Sequence, residues 1–471
     1  MKQAGTFRSP FVRSPRACSR FLRAARALVF AAVLTVQAHA QWNESVLYSF
    51  QGGNSDGAVP VGGIVFDKAG NIYGATQGGG ANTCSPMAAC GTVYQLIPPI
   101  NNGGKWTEKV LYVFRGKAAN DGDFPGGGLA IDSIGNLYGT AYYGGTGDCV
   151  LLGIKGGCGV VFKLSPPEQA GGTWREAILY SFKGGSDGYV PFGDLTFDAD
   201  GNLYGVTLYG GGRGGRLCDS FYTGCGTVFK LSPPTQKGGG WKEEVLYRFA
   251  AGTDGYNPNG GLIIDHRNHV YGTTESGGNQ QCNYGTNGLG CGTLFELIPP
   301  SKMCGTWTEQ ILHRFTGKDD GANPAVGVTT FGGHIYGSTG GGGPFKRGLL
   351  FEMTQTKEGW DENVLYDFNG GNDGQGPGSP LRFDTDGSLY GTAIGGADFS
   401  GVVFQLSPRL NDQPLSATSA ASWAFDLLYT FKGVPDAHYP GDSLILVDQN
   451  QLYGTAGGGM YDDGAVFEVW P

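Results

Sequence analysis

This chain lacks the features that would make it a membrane helix, a helical bundle or a nucleic-acid partner. Its longest apolar run, "ALVFAAVLTV" (27–36), is too short to span a bilayer as a helix, and no later stretch comes closer. Beyond residue 40 no amphipathic pattern of 3.6-residue period is sustained, which argues against helices. Histidine is scarce, six in 471 residues, and none has a serine or cysteine nucleophile motif nearby. Basic residues are in deficit, 32 Lys and Arg against 41 Asp and Glu. Seven of those basic residues (Lys2, Arg8, Arg13, Arg16, Arg20, Arg23, Arg26) stand in a leader with no acidic residue. The apolar run follows them, then Ala38-His39-Ala40. Residues 1–40 therefore read as a secretory signal peptide cut before Gln41. Cys18 precedes the apolar run, which argues against a lipoprotein anchor, and no twin-arginine pair is present. Removing the leader moves the net charge from −9 to −16, so nucleic acid is excluded as a partner by repulsion. Secretion or periplasmic export is expected, with no membrane span and a monomer.

Glycine is abundant, 87 residues, but not at every third position, which excludes collagen; aromatics at 12% exclude disorder. What organises the chain is a unit repeated seven times. Asp56, Asp121, Asp187, Asp254, Asp320, Asp373 and Asp436 are each followed four residues on by proline. A tyrosine-glycine pair comes next, led by Tyr73, Tyr138, Tyr204, Tyr271, Tyr336, Tyr390 and Tyr453. Each unit also carries Gly-x-x-aromatic, ending at Tyr94, Phe162, Phe229, Phe295, Phe351, Phe404 and Phe467. The last element is led by Trp42, Trp106, Trp174, Trp241, Trp307, Trp360 and Trp423, each with a phenylalanine eight residues later. "WTEKVLYVF" (106–114) alternates with period 2 and is rich in aromatic and β-branched residues, as a strand requires. "GGLAID", "NLYGTA" and "GVVFKL" read as short strands separated by Gly and Asn/Asp punctuation. Four short strands recurring every 53 to 68 residues predict an all-β, seven-bladed β-propeller of four antiparallel strands per blade over 41–471. A β-solenoid is the second reading, but its rungs are shorter and more uniform.

"P-x-G-G-L-x-x-D…G-N-L-Y-G" resembles the first two strands of an NHL-type blade. The resemblance implies that the Pro–Leu–Asp strand is innermost (a), the Tyr-Gly strand b, the Gly-x-x-aromatic strand c and the Trp strand outermost (d). The chain then opens on a lone d strand, "WNESVLYSF" (42–50), and ends on a, b and c of the seventh unit. The N-terminal strand is expected to complete the last blade and remove both free edges. The tandem unit as a whole, over 42–470, resembles the GloVer repeat of secreted and surface "choice-of-anchor" bacterial proteins. The blocks that carry this are Leu-Tyr-x-Phe, Asp-x-x-Gly-Asn-Leu-Tyr-Gly and Gly-x-Val-Phe-x-Leu. The resemblance implies a secreted repeat protein and brings no reaction with it. No hydrophobic tail or sorting motif follows the last strand, which sets this chain apart from anchored members.

Candidate chemistry is repeated rather than convergent. Asp198-Ala199-Asp200-Gly201-Asn202 has the look of a calcium loop, but the other copies read "DKAGN", "DSIGN", "DHRNH" and "DTDGS". Only Asp200 and Asp386 supply a second carboxylate, so a hairpin turn is expected, and calcium keeps a minor claim at units three and six. The seven repeated aspartates lie in d–a connections around the channel mouth. Each is expected to cap its own turn, the glycine that usually follows supplying positive φ; a cation or basic partner is the functional alternative. Glu44, Glu108, Glu176, Glu243, Glu309 and Glu362 fall on strand d and are expected to discourage edge pairing. The b–c loops of units one to four are long, and each holds two cysteines. One pair per loop without nearby histidine is no zinc site. Disulfides Cys84–Cys90, Cys149–Cys158, Cys218–Cys225 and Cys282–Cys291 are expected to staple loops that stand out from the core, with Cys304 left over on the opposite face. Phe124, Tyr189, Tyr256, His438 and Tyr439, two or three residues after the aspartates, would ring a concave mouth suited to a sugar or peptide. No catalytic residue and no resident cofactor or metal is assigned. The reading is a non-catalytic secreted binding propeller for an extracellular glycan or protein. The alternative is a secreted propeller enzyme, a carbohydrate-active hydrolase or lyase or a calcium-dependent lactonase.

Overall fold

The computed structural model describes residues 42–471 apart from 82–83, 85–89, 102, 152–153, 170, 213–217, 219–223, 237, 283–289, 303–304, 410–422, 442 and 449. The leader, its cleavage point and Cys304 lie outside the described residues. Among the described residues every element is a strand except one short 3-10 turn at Lys117–Ala119. The strands form seven antiparallel blades in a propeller ring. Blade 1 shows the plan: Gly57–Phe66 (a), Ile72–Gly79 (b), Thr92–Ile97 (c) and Thr107–Val113 (d) hydrogen-bond in that order. In blades 2, 6 and 7 strand a is split in two, as at Gly122–Pro125 and Ala130–Ile131 in blade 2. Asn43–Ser49 is strand d of blade 7 and pairs antiparallel with Ala465–Trp470, Asn43 opposite Trp470. The spare first strand thus closes the ring.

The repeated motifs become contacts within and between blades. Within a blade, the strand-c aromatic lies across the glycine after the strand-b tyrosine. A Cβ on Gly139 would sit 2.6 Å from the Phe162 ring and one on Gly74 2.3 Å from Tyr94, so no other residue fits there. Between blades, the phenylalanine ending each strand d meets the strand-c aromatic of the next blade, edge-to-face at six junctions and tilted at Phe315–Phe351. Phe50 meets Tyr94 at 4.9 Å between centroids, Phe114 meets Phe162 at 5.0 Å, and Phe431 meets Phe467 at 5.0 Å. All seven phenylalanines are fully buried. Each therefore contributes ~1.5–3 kcal/mol relative to exposure, and the ladder is the inter-blade core.

A backbone device also recurs seven times. The residue three after each aspartate has left-handed φ: Val59 (+55°), Phe124 (+61°), Val190 (+57°), Asn257 (+55°), Asn323 (+57°), Gly376 (+53°) and Tyr439 (+50°). Each donates its N–H to a loop carbonyl just before strand c of the preceding blade, as Phe124 does to Cys90 at 3.1 Å and Tyr439 to Ser400 at 2.6 Å. For valine this conformation is strained. Because it occurs at every junction, it belongs to blade docking rather than to a single site. Around the axis the inner strands nearly touch. A Cβ on Gly62 would lie 1.9 Å from the Gly128 nitrogen, which accounts for the glycine pairs at 62–63, 127–128 and 260–261.

Candidate functional site

Seven inner strands converge on a central channel, and two of the residues that depart from the seven-fold pattern there are charged. Three residues after the proline most blades carry glycine, as at Gly63, Gly128 and Gly261; blade 3 carries Asp194. Asp194 Oδ1 accepts the Gly128 N–H at 2.7 Å, and Oδ2 lies 3.4 Å from the Ser443 hydroxyl. Five residues after the proline the blades carry small, aliphatic or threonine side chains, but blade 6 carries Arg382. Its Nε donates to the Leu444 carbonyl at 2.9 Å, tying blade 6 to blade 7. Burial pulls this guanidinium below its ordinary pKa, and the Asp194 carboxylate acts in the opposite sense.

Asp194 stands at the waist between two compartments. The first, about 330 Å³, opens on the face of the d–a and b–c connections and is lined by all seven blades. Eight of its eighteen lining residues are glycine, so large side chains in the wall are few. Tyr142 and Phe192 stack there, 5.1 Å between centroids and 11° from parallel, beside the carboxamides of Gln77 and Asn259. The second compartment, about 250 Å³, lies toward the a–b turns and contains Arg382 among aliphatic side chains. An unbranched glycine lining offers no chemistry, so these departures are where chemistry is concentrated.

The model of the Gloeobacter/Verrucomicrobia repeat matches residues 32–287 and 281–471. The chain belongs to this repeat family. No curated protein matches this member of the Gloeobacter/Verrucomicrobia repeat family. Among solved structures it is similar to a putative 6-phosphogluconolactonase from Bacteroides uniformis (13% identity, 77% of this chain and 82% of that one, TM-score 0.44). It is also similar to a gluconolactonase from Xanthomonas campestris (13% identity, 91% and 89%, TM-score 0.38). A third is a putative oxidoreductase (glucose dehydrogenase) from Thermus thermophilus (13%, 91% and 99%, TM-score 0.39). Likenesses this distant transfer no chemistry.

In this repeat-family propeller the seven repeated aspartates are engaged by their own turns. Asp56 accepts the Gln51 N–H at 2.8 Å, the Gly57 N–H at 2.7 Å and the Tyr48 hydroxyl at 3.0 Å. Asp121, Asp187, Asp254, Asp373 and Asp436 likewise take a strand-d tyrosine hydroxyl and a backbone N–H, and His313 replaces the tyrosine at Asp320. The following glycine has positive φ only at Gly188, Gly321 and Gly374. Elsewhere it is small because strand b is close: a Cβ on Gly57 would lie 2.5 Å from Thr76. The Asp198 stretch is a hairpin turn. Asp198 Oδ1 takes the N–H groups of Asp200 and Asn202, and Oδ2 takes the Asn202 amide and the Tyr204 hydroxyl. Burial works to raise its pKa, but these hydrogen bonds outweigh it and hold the carboxyl below its ordinary value.

Two expectations need correction. The strand-d glutamates do not act as exposed edge charges: each sends one oxygen, buried and without a hydrogen-bond partner, toward the preceding blade. Burial first, then the neighbouring Asp56, pushes Glu108 to about 8; burial and Asp121 push Glu176 to about 7. The disulfides do not staple loops remote from the core. All four form, Cys84–Cys90, Cys149–Cys158, Cys218–Cys225 and Cys282–Cys291. Their cysteines are buried apart from the half-buried Cys149, and they pack in clusters with the next blade. Tyr189, 3% exposed, shares such a cluster with Cys158, and Tyr256, 8% exposed, with Cys218 and Cys225. Phe124 is half-buried against Tyr142 and Tyr143, at 5.7 and 6.2 Å. His438 Nε2 lies 3.0 Å from Asp462. Tyr439 is 56% exposed and hydrogen-bonds beside Phe399, which is 77% exposed. Sequence reasoning passed over Tyr142, Phe192, Asp194 and Arg382. Comparing the copies column by column would have found them: "PFGDL" stands where other units read "PVGGI" or "PGGGL".

Proposed function

We propose that this protein is a secreted, non-catalytic binding propeller that takes a glycan at the mouth of its channel, on the side of blades 1 to 4. The observation that carries this is the Tyr142–Phe192 stack in a glycine-lined recess, with Gln77, Asn259 and Asp194 beside it. Aromatic faces cover the C–H face of a sugar ring, while carboxamides and one carboxylate meet its hydroxyls. The half-buried Phe124 extends the same aromatic wall. Four disulfides suit an oxidising extracellular compartment, and no described helix is long and apolar enough to cross a membrane. Hydrolysis, the competing reading, needs unlike titratable groups converging at one place. Among the described residues lining the mouth, Asp194 is the one carboxylate and no histidine accompanies it. A glycan array followed by calorimetry tests the proposal. Tyr142→Ala and Phe192→Ala should each weaken binding by ~1–3 kcal/mol. A protein that retains no sugar on the array, or variants that bind as well as the parent, would remove it.

A further inference from the structure

The compartment on the a–b side of the waist has a different character from the mouth. Its lining is largely aliphatic residues and glycine, Val65, Ala130, Val326 and Ile445 among them, and the side chains that depart from these are Thr196, Asp194 and Arg382. Among the described residues, the hydrogen bond that Arg382 makes is from Nε to the Leu444 carbonyl at 2.9 Å. No carboxylate among the described residues lies within ion-pairing distance of it, and Arg382 lines a cavity of about 250 Å³. A guanidinium cannot shed its charge, and a charge among aliphatic side chains is costly until something pairs with it. Its free edge is the two-pronged donor that matches a carboxylate. Across the cavity stands Asp194, its oxygens held by Gly128 N–H and Ser443. That fixed negative charge opposes a dianion and favours a ligand whose far end donates hydrogen bonds. The space is too small for a chain of sugars.

We propose that this compartment is a binding site for a small monocarboxylate, gripped by Arg382 and bounded by Asp194. The site shares Asp194 with the mouth but does not rest on glycan binding there. Calorimetry and thermal-shift measurements on the purified protein with acetate, L-lactate, glycine and inorganic phosphate test it. At least one carboxylate should bind and raise the Tm, and phosphate should not. R382M should abolish that binding. R382K, which keeps the charge without the fork, should weaken it about tenfold. D194N should narrow the discrimination against phosphate while leaving the carboxylate bound. If R382M proves too unstable to measure, R382K and D194N carry the test. Absence of carboxylate binding by the parent protein, binding that R382K leaves unchanged, or phosphate bound as well as carboxylate would each overturn the proposal. The first outcome would return Arg382 to a purely structural tie between blades 6 and 7.

Discussion

Tyr366 and Phe425 stack face to face between the outer strands of blades 5 and 6, centroids 4.3 Å apart and 13° from parallel. The other six junctions have a glutamate at the position of Phe425, two residues after the tryptophan. One junction is therefore sealed by an apolar contact, and six hold a carboxyl group that burial keeps protonated well above its ordinary range.

Stability should fall as pH rises. Glu44, Glu108 and Glu362 are raised to about 8, and Glu176, Glu243 and Glu309 to about 7, by burial and then by a nearby aspartate in every case. The folded state then holds protons that the unfolded chain releases near 4.5, so stability is lost between the two values and levels off above the higher one. Below that window the turn carboxyls act the other way. Asp67, Asp132 and Asp198 lie below their ordinary pKa despite burial, and protonating them costs stability. Thermal melts should peak at mildly acidic pH. Replacing the six glutamates by glutamine should flatten the decline toward alkaline pH, and an unchanged slope would refute the assignment.

Reduction should weaken the ring itself. Since the disulfides pack beneath residues of the next blade, a Cys90→Ala/Cys84→Ala pair should cost ~2–4 kcal/mol. Melts with and without reductant measure it. Loosened loops over an unchanged melting temperature would show that the packing is dispensable.

Tyr189 and Tyr142 should separate stability from binding. Tyr189→Ala empties core beside Cys158 and should cost ~3–5 kcal/mol of stability, as large aromatic truncations do. Tyr142→Ala should change binding at the mouth more than the melting temperature. Comparing the two variants by melting and by calorimetry checks both halves.

Closure depends on the first strand. Deleting residues 42–50 removes the partner of Ala465–Trp470 and the Phe50 contact with Tyr94. The truncated protein should aggregate or melt far below the parent. Phe50→Ala alone should cost ~3–5 kcal/mol by the same contact. A truncation as stable as the parent would contradict the register.

Seven-fold repetition made the architecture legible without coordinates. Proline at a set distance after each aspartate, tyrosine-glycine and the strand-d phenylalanine recur because every blade must solve the same packing problem, and cysteine spacing within one loop already implied local pairing. Contacts between blades were not legible, since they join residues far apart in sequence. The strand-d glutamates read as edge charges until the neighbouring blade covered them, and Tyr189 and Tyr256 read as mouth aromatics until each was found over a disulfide. The channel was hidden for a related reason. Asp194 and Arg382 are 188 positions apart, and only closure of the ring brings their strands around one axis, where, among the described residues, one carboxylate and one guanidinium line the two compartments.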